Sequence, residues 1–186
     1  MTSYDYQEAL KNAAKTMVRV KNPRRLLKMI VRFIVREVGL NHASILMYDQ
    51  LKSRYIFVDS KGNHRIPINL IKLDQHNPLI RWFSEHNPKL KLPKDFLTLG
   101  RVGTWLQNPL ILNHGNPASL KTHLEQLQDV METLKATVCV PGYYKSELLG
   151  VLILGDKLSG QSFLPEELSF FQTLANDASM TIKTAR

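Results

Sequence analysis

Apolar positions along this chain recur at helical spacing at both ends and in continuous or alternating runs between them. Tyr6, Ala9, Leu10, Ala13, Met17 and Val20 fall three and four residues apart and predict a first helix over Ser3 to Val20. A second helix is predicted from Pro23 to Val38. Leu27, Ile30, Val31, Ile34 and Val38 form its stripe, with Asn22 as N-cap, Pro23 at the first helical position and Gly39 just past the end. Two segments rich in β-branched and aromatic residues follow, His42 to Asp49 and Arg54 to Ser60. They are joined by a short polar connection around Gln50 and Ser53 and closed by Lys61-Gly62-Asn63, which predicts an antiparallel hairpin.

The next stretch is less regular. Ile66 to Leu73 suits a short extended segment, and His76-Asn77-Pro78 opens a short helix carrying Leu79, Ile80, Trp82 and Phe83, which Pro88 closes. From Lys89 to Ala118, Pro93, Gly100, Gly103, Pro109, Gly115 and Pro117 interrupt every apolar run, so loops and short elements are expected there. Leu120, Leu124, Leu127, Val130 and Met131 then predict a helix over Ser119 to Leu134, with Ser119 as its cap. Ala136 to Val140 reads as a buried strand, and Tyr143 to Leu148 leads through a Lys-Ser-Glu corner into Leu148 to Leu154. That run carries no charge and suits a strand buried on both faces. After the loop Gly155 to Gly160 the period turns helical again, with Leu168, Phe171, Leu174, Ala175, Ala178 and Ile182 on one side. No C-cap glycine or terminating proline follows, so the terminal helix reads as one that continues. Both hairpin connections are too short for parallel crossovers, and the fold class is therefore α+β with one antiparallel sheet.

The run LLGVLILGDKLSGQSFLPEELSFFQTLANDASMTIKTAR resembles the closing strand and signalling helix of a GAF domain, a sensor module of bacterial histidine kinases and related signalling proteins. The resemblance is strongest from Leu134 onward and is supported by the helix and hairpin of residues 23 to 59. It implies a central antiparallel sheet, N- and C-terminal helices packed on one face, and a variable helical and loop insert, residues 63–132, folded over the other. The chain then divides into an N-terminal helix over 1–22, an α/β core over 23–164 and a C-terminal signalling helix over 165–186. The implied function is non-catalytic: a small molecule or a partner binds, and the terminal helix carries the change to a covalently linked output domain such as a histidine kinase.

Composition narrows the setting. A chain of 186 residues fits one domain and buries about 70% of its unfolded surface, enough for a core without staples. The single cysteine, Cys139, excludes an internal disulfide and fits a reducing compartment. No apolar run has the length of a membrane span, and the N-terminus lacks the layout of a signal peptide, so a cytoplasmic location is expected. The net charge of +9 has a definite address. Nine basic residues and no acid lie between Ala9 and Arg36, and the rest of the chain is balanced. Arg25, Lys28, Arg32 and Arg36 form a stripe opposite the apolar one. It suits a solvated face, an anionic membrane surface near Arg19–Arg36 if an anchor precedes the domain, or, less well for want of interleaved aromatics, nucleic acid.

Candidate chemistry is sparse. Gly150 and Gly155 followed by Lys157 and Ser159 have some phosphate-loop character, but that loop needs lysine directly after the second glycine, and here the intervening residues form a strand. The six histidines, His42, His64, His76, His86, His114 and His123, show no paired spacing for a metal. Cys139 sits between two valines and suits an inert core thiol, whereas bilin-binding relatives place their cysteine in the variable part. No nucleophile elbow or paired catalytic carboxylates are present, and Glu166-Glu167 after Pro165 suits a helix start, with Leu164 in the N-cap place. No cofactor is expected. Ligand contacts are expected from the insert and the sheet beneath it, at Tyr55, Trp82, Trp105 and Tyr143, because an aromatic ring with a polar tip both stacks on and orients a small molecule. For each of the four, a place in the core is the competing reading. Phe170 and Met180, outside the main stripe of the terminal helix, add the expectation of a homodimer through terminal helices.

Overall fold

Asn22 and Pro23 set the first firm boundary. In the computed structural model, which describes residues 3–17, 19–62, 66, 71, 73–85, 90–113 and 118–185, the Asn22 side chain accepts the Arg25 amide at 3.0 Å. Helix α1 spans Ser3–Met17, shorter than its periodicity suggested. Helix α2 spans Pro23–Phe33 and continues as a π-helical turn over Ile34–Gly39, where Gly39 takes the positive φ of 76° that ends it. Strands β1 (His42–Asp49) and β2 (Arg54–Gly62) form the first hairpin. Helix α3 (Pro78–Ser84) is capped by Asn77 Oδ1, which accepts the Leu79 amide at 2.9 Å. The extended segment expected over 66–73 and the closing Pro88 lie mostly or wholly outside the described residues, although the Leu73 carbonyl accepts the Tyr55 amide at 2.8 Å.

The interrupted region is more ordered than its glycines suggested. It contains the two-residue strand β3 (Leu97–Thr98), helix α4 (Leu99–Leu106) and helix α5 (Pro109–Asn113). Two glycines inside α4 each disfavour it by about 1 kcal/mol relative to alanine. Thr98 caps the helix by accepting the Arg101 amide at 2.9 Å, and burial of Val102 and Trp105 offsets the glycines. Helix α6 spans Leu120–Thr133, but Ser119 takes a helical conformation and makes no capping bond. Strands β4 (Val138–Tyr144) and β5 (Glu147–Leu154) turn through Lys145 and Ser146, both at positive φ as a type I′ turn requires. Helix α7 spans Pro165–Thr184.

The five strands pair antiparallel in the order β2-β1-β5-β4-β3. The central strand β5 is covered on both sides, as its uncharged run predicts. Leu152 and Leu154 enter the core shared with α1, α2 and α7, while Val151 and Ile153 enter the core under α3, α4 and α6. Phe170 differs from expectation: it is 8% exposed and packs edge-on against Phe33 of α2 at 5.9 Å. The inner face of α7 is wider than a single stripe, because α2 and the sheet flank it from two directions. Met180 remains exposed.

Candidate ligand site

The four aromatic residues singled out in the sequence all reach the layer between the sheet and the insert, in two separate settings. Trp82 from α3 is fully buried and stacks on Trp105 from α4, ring centroids 5.7 Å apart at 28°. The edge of His123 from α6 meets the Trp82 ring at 5.4 Å. Trp82 Nε1 is buried with no hydrogen-bond partner among the described residues. His123 Nε2 lies 2.9 Å from the Pro78 carbonyl, which can only accept, so that nitrogen carries a proton. Burial pulls the His123 pKa below its ordinary value, against the raising effect of the Pro78 bond. Lys94, whose ammonium donates to the Glu85 carbonyl and lies 5.8 Å over the Trp82 ring, is also lowered by burial.

The tyrosines are anchored differently. Tyr55 Oη donates to the Leu148 carbonyl at 2.6 Å and Tyr143 Oη donates to the Phe83 carbonyl at 2.8 Å. Burial is the main reason that both phenols are pushed well above their usual pKa. Each hydroxyl therefore ties one strand to a neighbouring element and stays neutral. Cys139, fully buried, is likewise pushed up by burial and is not available as a thiolate.

Of the four, Tyr55 alone lines the open cleft at the turn end of the sheet. This cleft, about 900 Å³, is walled by Tyr48, Gln50 and Ser53 of the first hairpin, by Asp74, His76, Ile80 and Ser84 around α3, by Ser146, Glu147 and Leu148 of the second hairpin, and by Lys183 of α7. Tyr48 and Tyr55 meet with centroids 5.1 Å apart. Lys183 Nζ pairs with Glu147 Oε2 at 3.1 Å across the cleft wall. An apolar floor ringed by hydroxyls, amides, two carboxylates and an ammonium suits a small polar molecule.

Sequence reasoning missed Glu147, Lys183, Asp74 and His76. They come from three separate segments, with Asp74 and His76 sharing the one before α3, and carry no local motif. It also missed what seats α7. Gly142 and Gly150 are register partners on β4 and β5, and a Cβ on Gly142 would come within 2.3 Å of the Ala175 carbonyl of α7. A Cβ on Gly150 would lie 3.7 Å from Ser179 Oγ. The helix rests on bare backbone, and Asn176 Oδ1 accepts the Tyr143 amide at 2.9 Å beside it. The signal was present: two glycines on either side of the Lys145-Ser146 turn, three residues before it and four after.

Among solved structures, the GAF domain of an Acinetobacter phosphoenolpyruvate-protein phosphotransferase is 16% identical, with a TM-score of 0.63 over 100% of this chain and 96% of that one. The corresponding domain from Coxiella burnetii is 16% identical, with a TM-score of 0.61 over 100% and 97%. A segment of a methyl-accepting chemotaxis protein is 15% identical, with a TM-score of 0.59 over 92% and 95%. No curated protein sequence matches the chain. Similarity at this level speaks for the shared fold. Residues 22–182 match the description of the GAF domain, a range that runs from the Asn22 cap to the last buried residue of α7, and the chain belongs to that family of sensory and regulatory domains.

Proposed function

We propose that this domain is the sensory part of a bacterial signal-transduction protein. It holds a small polar molecule in the cleft at the turn end of the sheet and passes occupancy through α7 to a covalently linked output module, such as a histidine kinase. The supporting observation is that Lys183, near the end of α7, lines the cleft and is paired with Glu147 of the β4–β5 hairpin. A ligand carboxylate or phosphate would compete for that ammonium, and a ligand cation would compete for Glu147. Either changes what holds the end of α7 and shifts a two-state balance by the difference in contacts.

A thermal-shift screen of polar metabolites should return at least one compound that raises the Tm of the wild type but not of Ser84→Trp, which fills the cleft. Hydrogen exchange in the last turn of α7 should change on binding. No stabilising compound would sink the ligand, and binding without a change in α7 would sink transmission.

A second reading, a dimerisation scaffold that holds no ligand, is favoured by one observation. Trp82 and Phe83 are almost fully buried, so protein side chains fill the layer beneath the insert. A clean mass for the gently purified protein in native mass spectrometry, together with a dimer in sedimentation, would favour it.

A further inference from the structure

We propose that the outer face of α1 and α2 docks on a membrane surface rich in anionic lipid. This site lies on the opposite side of the sheet from the insert and does not depend on the cleft. Lys11 and Lys15 of α1, Arg19 and Lys21 of the connection, and Arg24, Arg25, Lys28 and Arg32 of α2 are all exposed. Among the described residues none of these eight is paired with a carboxylate; Arg36 alone of the basic run is, with Glu37. Arg25, Lys28 and Arg32 follow one another at helical spacing, so their charges stand in a row along a helix about 16 Å long, by the rise per residue.

Charge by itself would serve any polyanion. The apolar component decides. Between α1 and α2 runs a groove of about 380 Å³, floored by Ala13, Met17, Met29 and Phe33 and rimmed by Arg32 and Arg36. A second cleft, formed by Arg24, Arg25 and Lys28, shares Met29 and Arg32 with it. Basic rim and apolar floor are thus continuous, which matches an amphiphile: phosphate on the guanidinium and ammonium groups, the start of an acyl chain on Met29 and Phe33. A nucleic-acid backbone has no use for such a floor. Binding a single strand requires exposed aromatics to stack on, and Phe33, the one aromatic among the described side chains of α1 and α2, is half-buried. The inner faces of both helices are committed to the core, so the protein lies on the surface and does not insert.

The test is co-sedimentation of the chain with phosphatidylcholine vesicles, with and without about one third phosphatidylglycerol, at about 0.1 M salt. Binding to the mixed vesicles alone is expected, weakening with salt. Arg25→Gln and Arg32→Gln should each lower the partition coefficient by about fivefold. Met29→Glu should lower vesicle binding more than either, because it removes floor and adds a carboxylate that opposes the basic face. Circular dichroism establishes that each variant is folded. Equal binding to both vesicle types, no binding to either, or an unchanged partition in Arg25→Gln and Arg32→Gln would overturn the proposal. So would tighter binding to duplex DNA than to mixed vesicles at equal phosphate, with Met29→Glu leaving both unaffected.

Discussion

The most demanding single contact is the ion pair between Lys157 and Glu167. Lys157 Nζ lies 2.6 Å from Glu167 Oε1, and the two side chains are 9% and 1% exposed. The same carboxylate oxygen accepts the Leu164 amide at 2.7 Å, the reach-back of an N3 glutamate to the cap, in a helix whose Leu164 has no capping oxygen of its own. Glu167→Gln leaves a buried ammonium without its counter-charge. It should lower unfolding free energy by about 3–5 kcal/mol in urea titrations, with Lys157→Met added to it restoring part of the loss. His123 provides a second expectation. Its folded pKa lies below 6.5, so the unfolded chain takes up the proton first. The stability it secures is complete above about pH 6.5 and declines as pH falls from there toward the folded pKa. Urea midpoints at pH 7.5 and 5.5 should therefore lie closer together in His123→Gln than in the wild type. Local signals of this kind were partly legible. Asn22, Pro23, Pro165 and the acids at the start of α7 act within one turn and announced themselves, whereas Lys157 meets Glu167 only after the loop folds back, and nothing in the sequence pairs them.

Among the elements, hairpins and terminal helices were readable because period and punctuation agree, as at Gly39, Gly62 and the run of β5. Helix α4 was not, because Gly100 and Gly103 look like breaks while the force that overrides them, Trp105 stacking on Trp82, comes from elsewhere in the chain. The two kinds of glycine should respond oppositely to alanine. At Gly103 a Cβ meets nothing closer than Gln128 Nε2 at 4.0 Å, so Gly103→Ala should raise stability by about 0.5–1 kcal/mol. Gly142→Ala must push the Ala175 backbone aside and should lower stability by about 1–3 kcal/mol or more, read by the same denaturant titration. The four aromatic site candidates were legible as a group and not as a geometry. Their shared layer follows from strand and helix phase, whereas the cleft is assembled from both turns, α3 and Lys183, whose proximity is a property of the fold.

Across the whole molecule, one sheet separates two cores, and β5 contributes to both. Neither core can be lost while the other keeps its floor. Trp82 and Trp105 report only the insert side, while helical circular dichroism reports both sides. The two signals should fall at the same denaturant concentration, and Leu152→Ala, made on the opposite face from the tryptophans, should shift both together by about 2–5 kcal/mol. Separate midpoints would show the faces to be independent. The glycine pair under α7 has one further consequence. Where side chains interleave, a helix can ratchet along its axis from one set of holes to the next. Over Gly142 and Gly150 there are no teeth to engage, and the Asn176 and Lys183 bonds pin the helix at two points along its length. Such a joint favours swinging over slipping, so under the proposed function a message passed through α7 would take the form of an angle.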